Sequence, residues 1–126
     1  GIDAGYLCRD SNTIAAAKFA AFCPWVTTEF FQRDTLRAGL PPEVVGRTFD
    51  YVLVDGDHSY EGARSALAAC WPLLTPGGLM VIDDLGMVNI LRAVEEHEAS
   101  LRATGESYTR QRHHNERIFE IFQKGI

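Results

Sequence analysis

The stretch Phe49-Asp50-Tyr51-Val52-Leu53-Val54-Asp55-Gly56-Asp57-His58-Ser59-Tyr60-Glu61 is an apolar run that stops at two acids and a histidine. A second run, Gly78-Leu79-Met80-Val81-Ile82, stops at Asp83-Asp84. In an open α/β sheet, side chains at the carboxyl ends of strands face the ligand crevice, so both sets would meet at one edge. Adjacent carboxylates repel and raise each other's pKa unless a cation or hydrogen-bond donors compensate them. Hard oxygen ligands suit Mg²⁺, which keeps several waters and leaves positions for a substrate hydroxyl. A metal held there would lower the hydroxyl's pKa and orient its oxygen. His58 is the candidate general base, with a side chain that changes charge near neutral pH. A plainer use stands beside each of these. Asp83 and Asp84 can cap a following helix, and His58 can hydrogen-bond locally at a helix start. Asp57 reads as a turn or capping residue.

Positioning such residues takes strands joined by helices. Gly1-Ile2-Asp3 reads as the last turn of a strand, and Asp10-Ser11-Asn12-Thr13 supplies N-caps for a helix over about residues 11–22, ended by Pro24. Ile14, Phe19 and Phe22 would give that helix its apolar contacts. Val26 to Gln32 is β-rich, with Arg33-Asp34-Thr35 at its carboxyl end. Residues 49–54 are nearly continuous in apolar character, which predicts a parallel strand covered on both faces. Ser59 caps a helix to about Leu73, with Ala63, Ala66, Leu67 and Cys70 as its buried stripe. Thr75-Pro76-Gly77-Gly78 predicts a turn, and 79–82 a strand. Val88, Leu91, Val94 and Leu101 mark another helix, closed near Gly105. Residues 107–112 and 116–123 predict a terminal antiparallel pair joined across His113-His114-Asn115, a solvated turn rather than a metal site. Trp25 and Trp71 read as core or helix-packing residues. The order implies an α/β, doubly wound parallel sheet to which the closing hairpin adds one antiparallel strand.

Bulk composition narrows the partners. The 126 residues make one domain at most, with 46% hydrophobic and 23% charged residues, ordinary for a soluble protein. A net charge of −5 argues against nucleic acid or an anionic membrane as the main partner. No apolar run approaches the ~20 residues of a membrane span. Cys8, Cys23 and Cys70 are odd in number and unpatterned, as expected of buried thiols in a reducing, cytoplasmic setting.

Residues 49–62, followed by Leu73-Leu74-Thr75-Pro76-Gly77-Gly78 and Val81-Ile82-Asp83-Asp84, resemble the class I S-adenosylmethionine-dependent methyltransferases. The similarity is to their small-molecule O-methyltransferase branch of macrocin-type and catechol-type enzymes. The resemblance implies a Rossmann-like sheet that residues 1–126 enter at the second strand, N-terminally truncated, without the first strand and its glycine-rich loop. It implies S-adenosylmethionine as cofactor, with Asp3 toward the ribose, Asp34 toward the adenine and Asp55 also on the cofactor side. It implies Asp55, Asp83 and Asp84 as ligands of a divalent ion such as Mg²⁺, and a hydroxylated small molecule as methyl acceptor. A sheet lacking that strand would expose an edge able to pair with a second copy or another chain, and the chain alone should bind the cofactor weakly. A fold-related nucleotide-binding oxidoreductase is disfavoured, because Gly-x-Gly-x-x-Gly is nowhere in the chain. A non-catalytic fragment that associates with another chain is the remaining alternative.

Overall fold

Strand β3 (Phe49–Val54) and strand β4 (Leu74–Ile82) lie side by side and parallel, with Val54 opposite Ile82 at their carboxyl ends. The computed structural model describes residues 2–3, 18, 21–25, 31–32 and 38–126. They fall into two units, Gly1–Glu43 and Val44–Ile126.

In the first unit, β1 (Ile2–Asp3) pairs in parallel with β2 (Phe31–Gln32), placing Asp3 opposite Gln32. Lys18 and residues 21–22 are helical, within the helix expected over 11–22. Cys8, Arg33, Asp34 and Thr35 lie outside the described residues. Phe22 and Trp25, read as packing residues, are 79% and 78% exposed. An aromatic ring marks a site able to bury area, but burial requires a covering element.

The second unit is a four-stranded mixed sheet in the order β3-β4-β6-β5, with β5 (Tyr108–His114) and β6 (Ile118–Lys124) forming the hairpin. β6 runs antiparallel to both β4 and β5, so it is the one antiparallel strand of the set. β5 extends through His114, which moves the turn to 115–117. His113 stacks on Phe119 at 5.1 Å between ring centroids, and both histidines of the pair remain exposed.

Helix α1 (Tyr60–Cys70) follows β3, and α2 (Val88–Ala103) follows β4. Ser59 caps α1 by accepting the Gly62 N–H at 3.0 Å, with Glu61 in the favourable first turn. Pro72 tightens the continuation into a 3₁₀ turn over Trp71–Leu73. α2 ends in a Schellman motif: Gly105 takes φ 72°, its N–H reaches the Arg102 carbonyl, and the Glu106 N–H reaches Leu101. Ala63, Leu67, Trp71, Ile90, Val94, Leu101, Met80, Ile82 and Phe122 make one core, with Val52 and Val54 packed against it. Val88 of the expected α2 stripe is instead 78% exposed, while His97 and Glu98 are buried.

Two expectations need correction. Within the second unit β3 is covered on one face: Tyr51 and Leu53, on the other, are 56% and 53% exposed. Helices α1 and α2 pack on the Val52–Val54 face, and β4 is the only partner of β3 among the described residues. The turn expected at residues 75–78 sits inside β4 as an irregularity. Phe49 pairs with Leu74, yet Tyr51 pairs with Leu79, so the extra residues of β4 bulge. Gly77 adopts φ 81° there, and a Cβ at Gly78 would lie 2.9 Å from the Thr75 carbonyl oxygen. The turn chemistry is real, but the ladder closes around it. No described helix is long and apolar enough to cross a membrane.

Candidate active site

The strand ladder brings the acids together. Past Val54 and Ile82 the pairing continues for one more bond, from the Asp83 N–H to the Val54 carbonyl at 3.3 Å. This places the segment beginning at Asp55 beside the segment Asp83-Asp84. One ligand atom from each of Asp55, His58 and Asp84 lies within 4.8 Å of the other two. His58 Nε2 is 2.9 Å from Asp84 Oδ2, in a pair that is half exposed on the histidine side.

Each position has a local cause. Asp57 Oδ1 accepts the Ser59 N–H at 2.8 Å, so it turns the chain out of β3 and into α1. Its carboxyl carbon lies 2.6 Å from where a Cβ of Gly62 would stand, so the first turn of α1 admits Asp57 only because residue 62 has no side chain. With Asp57 folded onto the helix, His58 reaches back toward the strand ends. Asp84 takes φ 63°, the left-handed region that costs most residues about 1 kcal/mol and that aspartate tolerates best after asparagine and glycine. The Met87 N–H then closes a turn onto the Asp84 carbonyl at 3.0 Å. Strained backbone held at the end of a buried strand is a common mark of a functional position.

The acids differ in how they are compensated. Asp83 Oδ1 accepts the Asp84 N–H at 2.8 Å, and Asp83 Oδ2 accepts from Arg117 Nη1 at 2.9 Å. Both oxygens of Asp83 are therefore engaged. Asp55 has its carboxyl pKa raised, first by desolvation, then by the charges of Asp83 and Asp84 and a hydrogen bond shared with Asp84. The nearby His58 opposes the shift. Asp55 is therefore the under-compensated member of the cluster.

Among the residues expected to act, Asp55, His58 and Asp84 are thus brought together, and Asp83 is turned to Arg117. Asp3 is placed only as the last residue of β1, in the other unit, and Asp34 lies outside the described residues. Arg117 gave no local signal. It sits in a hairpin turn 34 residues from its partner, and only the pairing of β6 with β4 carries it there.

Two carboxylates and an imidazole form a mixed oxygen–nitrogen donor set, chemically able to hold a divalent ion. The same set can act as an orienting acid and a base. With Nε2 directed at Asp84, the free nitrogen of His58 is Nδ1, which can accept a proton.

The chain resembles known proteins. The model of the methyltransferase domain family matches residues 8–85, more than half of its length. No curated relative matches it. A methyltransferase from Pyrococcus furiosus superposes with a TM-score of 0.62 at 20% identity, over 94% of this chain and 59% of its own. The O-methyltransferase TomG from Streptomyces achromogenes, involved in tomaymycin synthesis and solved with S-adenosylmethionine, gives 0.63 at 17%, over 94% and 59%. A Clostridium thermocellum protein provisionally described as an rRNA methylase gives 0.71 at 12%, over 100% and 72%. At these identities the likeness speaks for the fold. The chain spans little more than half the length of the first two.

Proposed function

Since this chain belongs to the methyltransferase domain family, we propose that the whole protein transfers a methyl group from S-adenosylmethionine to a hydroxyl of a small molecule. The observation that carries the reading is the meeting of Asp55, His58 and Asp84 at the carboxyl ends of two adjacent parallel strands. S-adenosylmethionine, when bound, supplies the electrophilic methyl group. On this reading Asp3, Asp34 and Asp55 are the residues that would hold it, Asp3 toward the ribose and Asp34 toward the adenine, carboxylates being acceptors for hydroxyl and amino donors. TomG, of the same fold and solved with that cofactor, supports the choice.

His58 is assigned the proton of the acceptor hydroxyl, taken at Nδ1, while Asp84 holds Nε2 and stabilises the charge that develops on the ring. Asp55, Asp84 and, once released from Arg117, Asp83 are the residues that would hold a divalent ion such as Mg²⁺. Such an ion, when bound, lowers the pKa of a coordinated hydroxyl. His58 can instead serve as a fourth donor, and then the base is the one role it loses. A cytoplasmic location and pairing of copies through the outer edge of β3 belong to the same proposal, the latter because an unpaired strand edge is a template for association.

The test uses the full-length protein with methyl-labelled S-adenosylmethionine and a panel of phenols, catechols and sugar hydroxyls. Transfer is expected to at least one class, reduced roughly a hundredfold or more by His58→Gln. Chelation with EDTA separates the metal-assisted route from a metal-free one. A full-length protein that does not bind the cofactor in calorimetry ends the reading.

A further inference from the structure

We propose that Arg117 is the protein's own counter-cation for the acid cluster and sets its affinity for a divalent ion, holding Asp83 until an ion displaces it. The inference rests on the cation reading above and adds to it a residue from the far end of the chain.

Asp83 is fixed and Arg117 is not. The aspartate side chain is 14% exposed, with one oxygen tied to the backbone of Asp84, whereas the arginine side chain is 74% exposed and meets Asp83 through one nitrogen. The backbone around Arg117 stays at the site regardless of that contact. The Leu85 N–H donates to the Ile118 carbonyl at 3.1 Å, and the Asn115 N–H donates to the Arg117 carbonyl at 3.0 Å. A long side chain on an anchored turn can therefore swing into water while its Cα remains beside the acids. Charge makes the exchange selective. Three carboxyl groups, those of Asp55, Asp83 and Asp84, gather here, and Arg117 is the guanidinium paired with them among the described residues. A dication approaching Asp55 and Asp84 meets repulsion from that guanidinium, and it gains Asp83 only when the pair opens. Opening the pair returns an already exposed guanidinium to water, and the incoming ion takes its place on the Asp83 oxygen that it leaves.

The experiment titrates Mn²⁺ into the full-length protein and follows water-proton relaxation and heat at two ionic strengths. Arg117→Gln, which keeps a donor but removes the charge, is expected to bind Mn²⁺ roughly three- to tenfold tighter, the scale of one charge a few ångströms away in a wet site. The gain should shrink in high salt. Arg117→Lys should stay near wild type. Arg102→Gln, the same charge change at the opposite end of α2, should leave binding unchanged. Equal or weaker binding by Arg117→Gln overturns the proposal, as does an equal gain in Arg102→Gln. If Mn²⁺ binds and Asp84→Asn abolishes it while Arg117→Gln changes nothing, only the role of Arg117 fails. If no variant and no wild-type protein binds Mn²⁺, the cation reading falls and takes this one with it.

Discussion

Carboxylates cluster twice in the second unit, once at the ends of β3 and β4 and once beneath α2, and the two clusters are built on opposite terms. Under α2, Glu98 and Glu120 are 8% and 1% exposed, and every oxygen is matched by a donor. Arg110 spans Glu95, Glu98 and Glu120, Arg112 donates to Glu120 at 2.8 Å, and Arg102 and Tyr108 both reach Glu98 Oε1. Burial pushes the Glu98 carboxyl up, but the bonds from Arg110 and Tyr108 hold it below the ordinary range. The Arg110 guanidinium is in turn held more firmly in its charged form, chiefly by Glu95. At the strand ends, by contrast, Asp55 is left with its pKa raised, first by desolvation and then by the charges of Asp83 and Asp84. A buried charge network left partly unpaired costs several kcal/mol of stability, so it is kept satisfied. A site that works on a ligand keeps some of its charge unspent. The contrast separates a structural pin from a candidate site without reference to any relative.

The contrast breaks hardest at Arg110. Arg110→Met leaves one oxygen of each of two buried carboxylates without its donor, and a loss of about 3–5 kcal/mol is expected in urea unfolding. Replacing Glu98 and Glu120 with leucine in the same protein should recover much of it. A single-variant loss below about 1 kcal/mol would mean that water reaches the network and that the pin is not one.

His97 offers a third kind of burial, a polar group left neutral. It is 4% exposed, wedged edge-on to Trp71 and Phe122, with its pKa lowered to about 4 by burial and then by Arg64. A depressed folded-state pKa gives stability that is complete above the unfolded value of 6.5 and is lost as pH falls toward 4. On the order of 3 kcal/mol rides on that window. His97→Leu should flatten the stability-versus-pH curve between those limits. An unchanged slope would assign the acid lability elsewhere.

At the strand ends the same kind of change should cost function and spare the fold. Asp84→Asn is expected to alter stability by less than about 1 kcal/mol while weakening Mn²⁺ binding at least about tenfold. Large destabilisation by this variant would erase the distinction between the clusters. Asp84→Gly should even stabilise slightly, by roughly 0.5 kcal/mol, since glycine meets no penalty at φ 63°. The raised pKa of Asp55 adds a pH signature. Ion binding requires the carboxylate, so affinity should start to fall on acidification at a higher pH than an isolated aspartate would impose. In Asp55→Asn that onset should disappear.

Much of this was legible in the chain itself. Ser59 as cap, the helix behind it, Gly105 as a terminator and the terminal hairpin follow from interactions within a few residues, and local backbone chemistry dictates them. That Asp55, His58 and Asp84 would meet was readable because neighbouring parallel strands bring their carboxyl ends to one edge. Three features were not readable. The exposure of Tyr51 and Leu53 depends on which face the helices choose, and apolar residues look alike on either face. The bulge at 75–78 looks like a loop until a neighbouring strand closes around it. The burial of Glu98 and Glu120 contradicts their residue type and is possible only because Arg110 arrives from another strand.

The sequence by itself determined which residues carry charge at strand ends, where helices begin and stop, and the family to which the pattern points. Tertiary structure decided how those charges are spent. Whether a carboxylate is ligand, base partner or pin depends on which cation faces it, and Asp83 and Glu120 take theirs from Arg117 and Arg110, on or beside the β5–β6 hairpin. Electrostatic energy depends on separation in space and on the surrounding water, and neither is written in the order of residues.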